Sequence, residues 1–103
     1  MGIRACSRRC LFVSNRIVES IASSLSADKK GQWDEAHAII SQLKAPLAYE
    51  VHAYLHRKEG DTDNALFWYG RAGVPPFEGA YSEEYRLLEK KLSDYIEPIH
   101  LQK

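Results

Sequence analysis

Within ten positions of the chain stand His52, His56, Arg57, Glu59 and Asp61, the densest group of side chains able to hold a proton or a metal ion. Residues four apart on a helix share one face, so His52 and His56 can present two imidazoles to one point, and His37 from a neighbouring helix can add a third. Ala53 follows His52, where the helical zinc-hydrolase motif needs Glu as its general base. The pair is therefore expected first as structural histidines facing a partner helix, each hydrogen bonded to a carboxylate. A polar ligand pocket of His37, His52, His56 and Asp61 is the second reading, and a small metal-binding protein or enzyme using His37, His52 and His56 is the third. No metal and no cofactor is assigned from the sequence.

Aromatic residues crowd the same region: Tyr49, Tyr54, Phe67, Trp68 and Tyr69. Three successive side chains cover about 200° of a helix, so at least one of Phe67, Trp68 and Tyr69 must reach the surface. Arg71 beside them gives the composition of an interface hot spot. Gly70 in mid-helix points to close approach of another backbone, because a helical glycine costs about 1 kcal/mol relative to Ala. The chain has no phosphate-binding loop, nucleophile elbow or nucleotide fingerprint, so a non-enzymatic role is expected.

Gly and Pro fall between the periodic segments and set out the elements that position these residues. Helices are predicted over about 14–29, 34–44, 47–59, 62–72 and 83–97. Gly31 and Gly60 close the first and third. Asp61 or Thr62 caps the fourth, Gly73 with Pro75 and Pro76 stops it, and Ser82 caps the fifth. No segment alternates as a strand does. The predicted class is all-α, with antiparallel helix pairs in a stack of about five helices.

Gly31, Trp33, Ala36, Ile40 and Leu43 recur in offset as Gly60, Thr62, Ala65, Tyr69 and Ala72, a period of 29 residues. A small residue such as Ala36 or Ala65 lets two helices approach, and the bulky residue one turn later fills the groove beside it. With Tyr49, Ala53 and His56 in the first helix of a unit, and Gly60, Ala65, Tyr69 and Ala72 completing it, the pattern resembles tetratricopeptide repeats over about residues 20–76. Its period is shorter than that family's ~34. The resemblance implies a right-handed stack that scaffolds or binds a protein or peptide in a groove lined by Leu47, Glu50, Tyr54, Arg57 and Lys58, with Trp68 and Arg71 as further contacts. The family's peptide clamp for a terminal carboxylate uses Lys and Asn along that helix. Glu50 and Tyr54 stand in the matching places here, so that ligand is not implied.

The chain has 103 residues, enough for one domain. Hydrophobic residues at 45% with 27% charged exclude a disordered or fibrous chain. No apolar run approaches the ~18 residues of a membrane span. Net charge is zero, yet residues 1–30 carry six basic against two acidic side chains. The Arg- and Ser-rich start reads as a basic arm over 1–13, ahead of a domain over 14–97 and a tail over 98–103. An organellar transit peptide is the alternative to a cytoplasmic protein. Arg4, Arg8, Arg9 and Arg16 lack interleaved aromatics apart from Phe12, which disfavours nucleic acid. Cys6 and Cys10, one helical turn apart, are expected as reduced thiols. Assembly with a second copy of the chain is compatible with all of this.

Overall fold

The computed structural model describes the backbone of residues 2–101 and the side chains of residues 16–94. It is all-α: among the described residues there are five helices and no strand, namely α1 (Gly2–Lys29), α2 (Trp33–Ile40), α3 (Pro46–Lys58), α4 (Thr62–Ala72) and α5 (Tyr81–Leu101). None of the described helices is long and apolar enough to cross a membrane. The expectations for the side chains of Arg4, Cys6, Arg8, Arg9, Cys10 and Phe12 lie outside the described residues.

The helix ends follow from local chemistry. After α1, Gly31 adopts φ +81°, and the N–H groups of Gly31 and Gln32 donate to the carbonyls of Asp28 and Ala27. After α3 the same turn recurs: Gly60 has φ +89°, and the N–H groups of Gly60 and Asp61 donate to Arg57 and His56. A left-handed residue with these two bonds satisfies carbonyls that the helix leaves without partners, and Gly meets no Cβ penalty there. Both turns sit 29 residues apart, as do buried Ala36 and Ala65, and buried Ile40 and Tyr69.

Several boundaries differ from the sequence expectation, most of them by one or two residues. α1 begins at Gly2 instead of Ser14, since nothing between Ile3 and Ser14 breaks a helix. α2 stops at Ile40 instead of Lys44. There the N–H groups of Gln42 and Leu43 tighten onto Ile39 and Ile40, and Pro46 holds the preceding Ala45 extended at φ −156°, ψ 150°. α5 begins at Tyr81, so Ser82 lies inside its first turn instead of capping it, and the backbone N–H of Ala80 donates to Glu83 Oε1 at 3.1 Å, which ties that turn.

α3 packs against all four other helices. Its residues Leu47, Ala48, Val51, Tyr54 and Leu55 meet Val18, Ile21 and Leu25 of α1, Ala36 and Ile40 of α2, and Leu88 and Leu92 of α5 in the main core. A second, smaller core joins Ala53 of α3 to Ala65 and Tyr69 of α4. A helix covered on every side must satisfy its own polar groups internally. Accordingly Glu50 accepts from Lys91 (2.7 Å), Tyr54 donates to Asp28 (2.6 Å), Lys58 donates to the other Asp28 oxygen (2.8 Å), and Arg57 donates to Glu84 (2.8 Å).

Gly70 corrects one expectation. It is exposed, and a Cβ built on it meets nothing within 4 Å, so no second backbone approaches. Gly70→Ala is therefore expected to raise stability by about 0.5–1 kcal/mol through lower chain entropy in the unfolded state. Urea titration of both proteins checks this; a destabilised variant contradicts the open helix face.

Candidate histidine centre

The i, i+4 spacing of His52 and His56 puts both rings on the face of α3 that looks towards α2, where His37 follows the buried anchor Ala36. The three rings converge: centroids are 4.8 Å apart for His37 and His52, 5.0 Å for His37 and His56, and 5.0 Å for His52 and His56. One ring nitrogen from each lies within 4.8 Å of the other two. The closest approach is 3.1 Å, between Nε2 of His52 and Nε2 of His37. Two neutral imidazoles can share that contact only if one nitrogen carries the proton and the other its lone pair.

Each ring is held by a different neighbour. Trp33, four residues before His37, stacks on it at 4.8 Å and 9°, and its own Nε1–H donates to the Leu55 carbonyl at 2.7 Å. Trp68 of α4 stacks on His52 at 3.9 Å and 11°. The Nδ1 atom of His56 lies 2.8 Å from Glu59 Oε2. The centre is thus walled by two indoles and closed by one carboxylate.

Burial and like charge favour the neutral forms of His52 and His37. Desolvation first, then the neighbouring imidazoles of His37 and His56, push the pKa of His52 down to about 4. His37 is lowered as well, chiefly by burial, with Glu59 and Asp34 opposing. In the unfolded chain a histidine titrates near 6.5, so between pH 6.5 and 4 the unfolded state binds a proton that native His52 refuses. Stability of the metal-free protein is expected to be full above pH 6.5 and to fall through this window, by at most about 1.4 kcal/mol per pH unit for this group. Thermal melts with a chelator present, comparing wild type with His52→Gln, check the slope; equal slopes place His52 in solvent.

The fourth residue of the expected pocket does not join the three. Asp61 caps α4, accepting from the Asn64 backbone N–H at 3.3 Å and from its side-chain amide at 2.9 Å, and these bonds lower its pKa. Asp61 meets the centre only through His56 and Glu59, with which it shares a second close group.

The groove expected along α3 is not brought to one surface. Leu47, Glu50 and Tyr54 are buried beneath neighbouring helices, and Glu50, Arg57 and Lys58 are engaged with Lys91, Glu84 and Asp28. Tyr54 and Lys58 border a cavity of about 520 Å³ with Asp28, Tyr81, Tyr85 and Arg86. Trp68 and Arg71 do lie together: the Arg71 guanidinium is 5.5 Å from the Trp68 ring and 5.0 Å from that of Tyr49. Sequence reasoning missed Trp33 as a wall of the centre, although its spacing to His37 equals that of His52 to His56.

Compared with protein-family models, with curated proteins and with solved structures, the chain matches none.

Proposed function

We propose that this chain is a metal-binding helical protein whose working site is His37, His52 and His56, together holding one divalent ion of the zinc, copper and nickel class. The observation that carries the reading is the convergence of three imidazoles from two helices, their donor atoms mutually within 4.8 Å. Tetrahedral coordination at the usual Zn–N length of about 2.05 Å spaces donor nitrogens about 3.3 Å apart, close to the contact between His37 and His52. A donor set of neutral imidazoles suits these borderline ions and not calcium or magnesium, which take oxygen ligands. Because the rings are already stacked in place, capture needs a small inward adjustment and a shift of the hydrogen shared between His37 Nε2 and His52 Nε2 to the Nδ1 of the ring that carries it.

The experiment is uptake by chelator-treated protein, followed by titration calorimetry and elemental analysis with zinc, copper, nickel, calcium and magnesium. One equivalent of a borderline ion is expected, with a raised melting temperature. His37→Ala and His52→Ala should each weaken capture by more than about 100-fold, beyond the 10–100-fold expected for a residue that only supports a ligand. No uptake, or uptake indifferent to both substitutions, removes the reading.

The scaffold belongs to the same proposal. We read α1 with α2, and α3 with α4, as two copies of one tetratricopeptide-like unit, with α5 covering the end. What supports this is the matched backbone at Gly31 and Gly60 and the matched burial at Ala36 and Ala65. In that arrangement the metal joins the second helix of one unit to the first helix of the next.

A further inference from the structure

Resting on the metal reading above, we infer that Glu59 is a positioning residue of the histidine centre, which selects Nε2 of His56 as its ligand atom. Glu59 is the C-terminal cap of α3, three residues beyond His56, and its Oε2 lies 2.8 Å from His56 Nδ1. A ligating imidazole is neutral, and an ionised carboxylate accepts and cannot donate, so with Glu59 as the acceptor the ring hydrogen sits on Nδ1. The lone pair then resides on Nε2, the atom at the other side of the ring. A ligating imidazole is commonly oriented and made more basic by a carboxylate on its second nitrogen.

The other two rings do not need such a group. His37 is fixed by stacking on Trp33, and His52 by stacking on Trp68. His56 has no indole lying flat on it: it meets Trp33 edge-on at 5.8 Å and 63°, and its stacking partner is another imidazole of the centre, His52, at 5.0 Å and 24°. The one group outside the centre that fixes which of its nitrogens faces inward is the Glu59 carboxylate, 2.8 Å from Nδ1. Asp61 is near enough to act in its place only by giving up the α4 cap.

The alternative role for Glu59 is direct coordination, in a site made with His56 Nδ1 and Asp61. The two roles predict different chemistry. As a positioning residue Glu59 affects capture of zinc or copper and leaves the requirement for His37 intact. As a ligand it creates a site that survives loss of His37.

The test uses the full chain with Glu59→Ala and Glu59→Gln; the residue is at the exposed end of α3, so both variants are expected to fold, and circular dichroism verifies this. Zinc affinity should fall 10–100-fold in Glu59→Ala and be partly restored in Glu59→Gln, whose amide oxygen still accepts from Nδ1. Long-range nitrogen correlation spectra of the metal-free protein at pH 8 should show His56 protonated on Nδ1 in the wild type, and a mixture of tautomers in Glu59→Ala. Equal zinc affinity in wild type and Glu59→Ala overturns the inference while leaving the metal reading standing. An Nε2–H tautomer in the wild type also overturns it. Capture that persists in His37→Ala but vanishes in Glu59→Ala makes Glu59 a ligand and overturns it too. If wild type takes up no zinc, the metal reading fails and the inference falls with it.

Discussion

Arg57→Met is expected to cost about 3 kcal/mol, the lower end of the range for stranding one partner of a buried ion pair. Glu84 is only 1% exposed, and its two oxygens accept from Arg57 (2.8 Å) and from the Tyr69 hydroxyl (2.5 Å). Arg57 also donates to the Gly79 carbonyl and lies over the Tyr81 ring at 4.7 Å. Methionine keeps the aliphatic stem and removes every one of those donors. Burial already pushes the Glu84 pKa up, against the opposing bonds from Tyr69 and Arg57. Without the guanidinium, the carboxyl escapes the full cost by taking a proton, which is why the lower figure applies. For a domain of this size the loss corresponds to roughly 12–24 °C in melting temperature. Replacing both residues, as Arg57→Met with Glu84→Gln, should recover part of the loss, since no charge is then stranded. Urea unfolding by circular dichroism measures both. A single-variant loss below about 1 kcal/mol would mean that water reaches the pair.

Leu88→Ala should cost about 2–5 kcal/mol, the range for removing a buried leucine side chain and leaving a cavity. α5 meets the core through Glu84, Leu88 and Leu92, four residues apart on one face, and Leu88 is fully buried among residues of α1 and α3. Leu66 of α4 is the control: it is 48% exposed, and truncating it should change stability by no more than about 0.5 kcal/mol. The same denaturation assay ranks the two, and equal losses contradict the placement of α5 on α1 and α3.

Much of this architecture was legible in the sequence because helix ends are written locally. Gly31, Gly60 and Gly73 each adopt positive φ where a helix was expected to stop, and Pro46 starts α3. The histidine centre was legible in part for the same reason, since His52 and His56 need only helical spacing to meet. Long-range pairing left no such mark. Glu50, Arg57 and Lys58 look like a solvated face when read alone, but their partners Lys91, Glu84 and Asp28 stand 41, 27 and 30 residues away. The same blindness hid Trp68 above His52, because stacking across two helices has no sequence period. Gly70 misled in the opposite direction: its composition is compatible both with a crowded crossing and with the open face that the structure has.

The dependence of every helix on α3 sets an order of opening. α4 packs its backbone against α3 alone, around Ala53, Ala65 and Tyr69 with Trp68, Val74 and Phe77 beside them, and a single hydroxyl, that of Tyr69, ties it to Glu84 of α5. α3 itself is enclosed by four neighbours. Units with few apolar contacts open locally, while a central helix exchanges its amide hydrogens only when the whole domain unfolds. The amides of Val51 to Leu55 are thus the slowest reporters of global stability, and those of α4 exchange earlier. When α4 lifts, Trp68 leaves the face of His52, so the histidine centre has a hinged cover carried by a helix whose backbone packs on α3 alone.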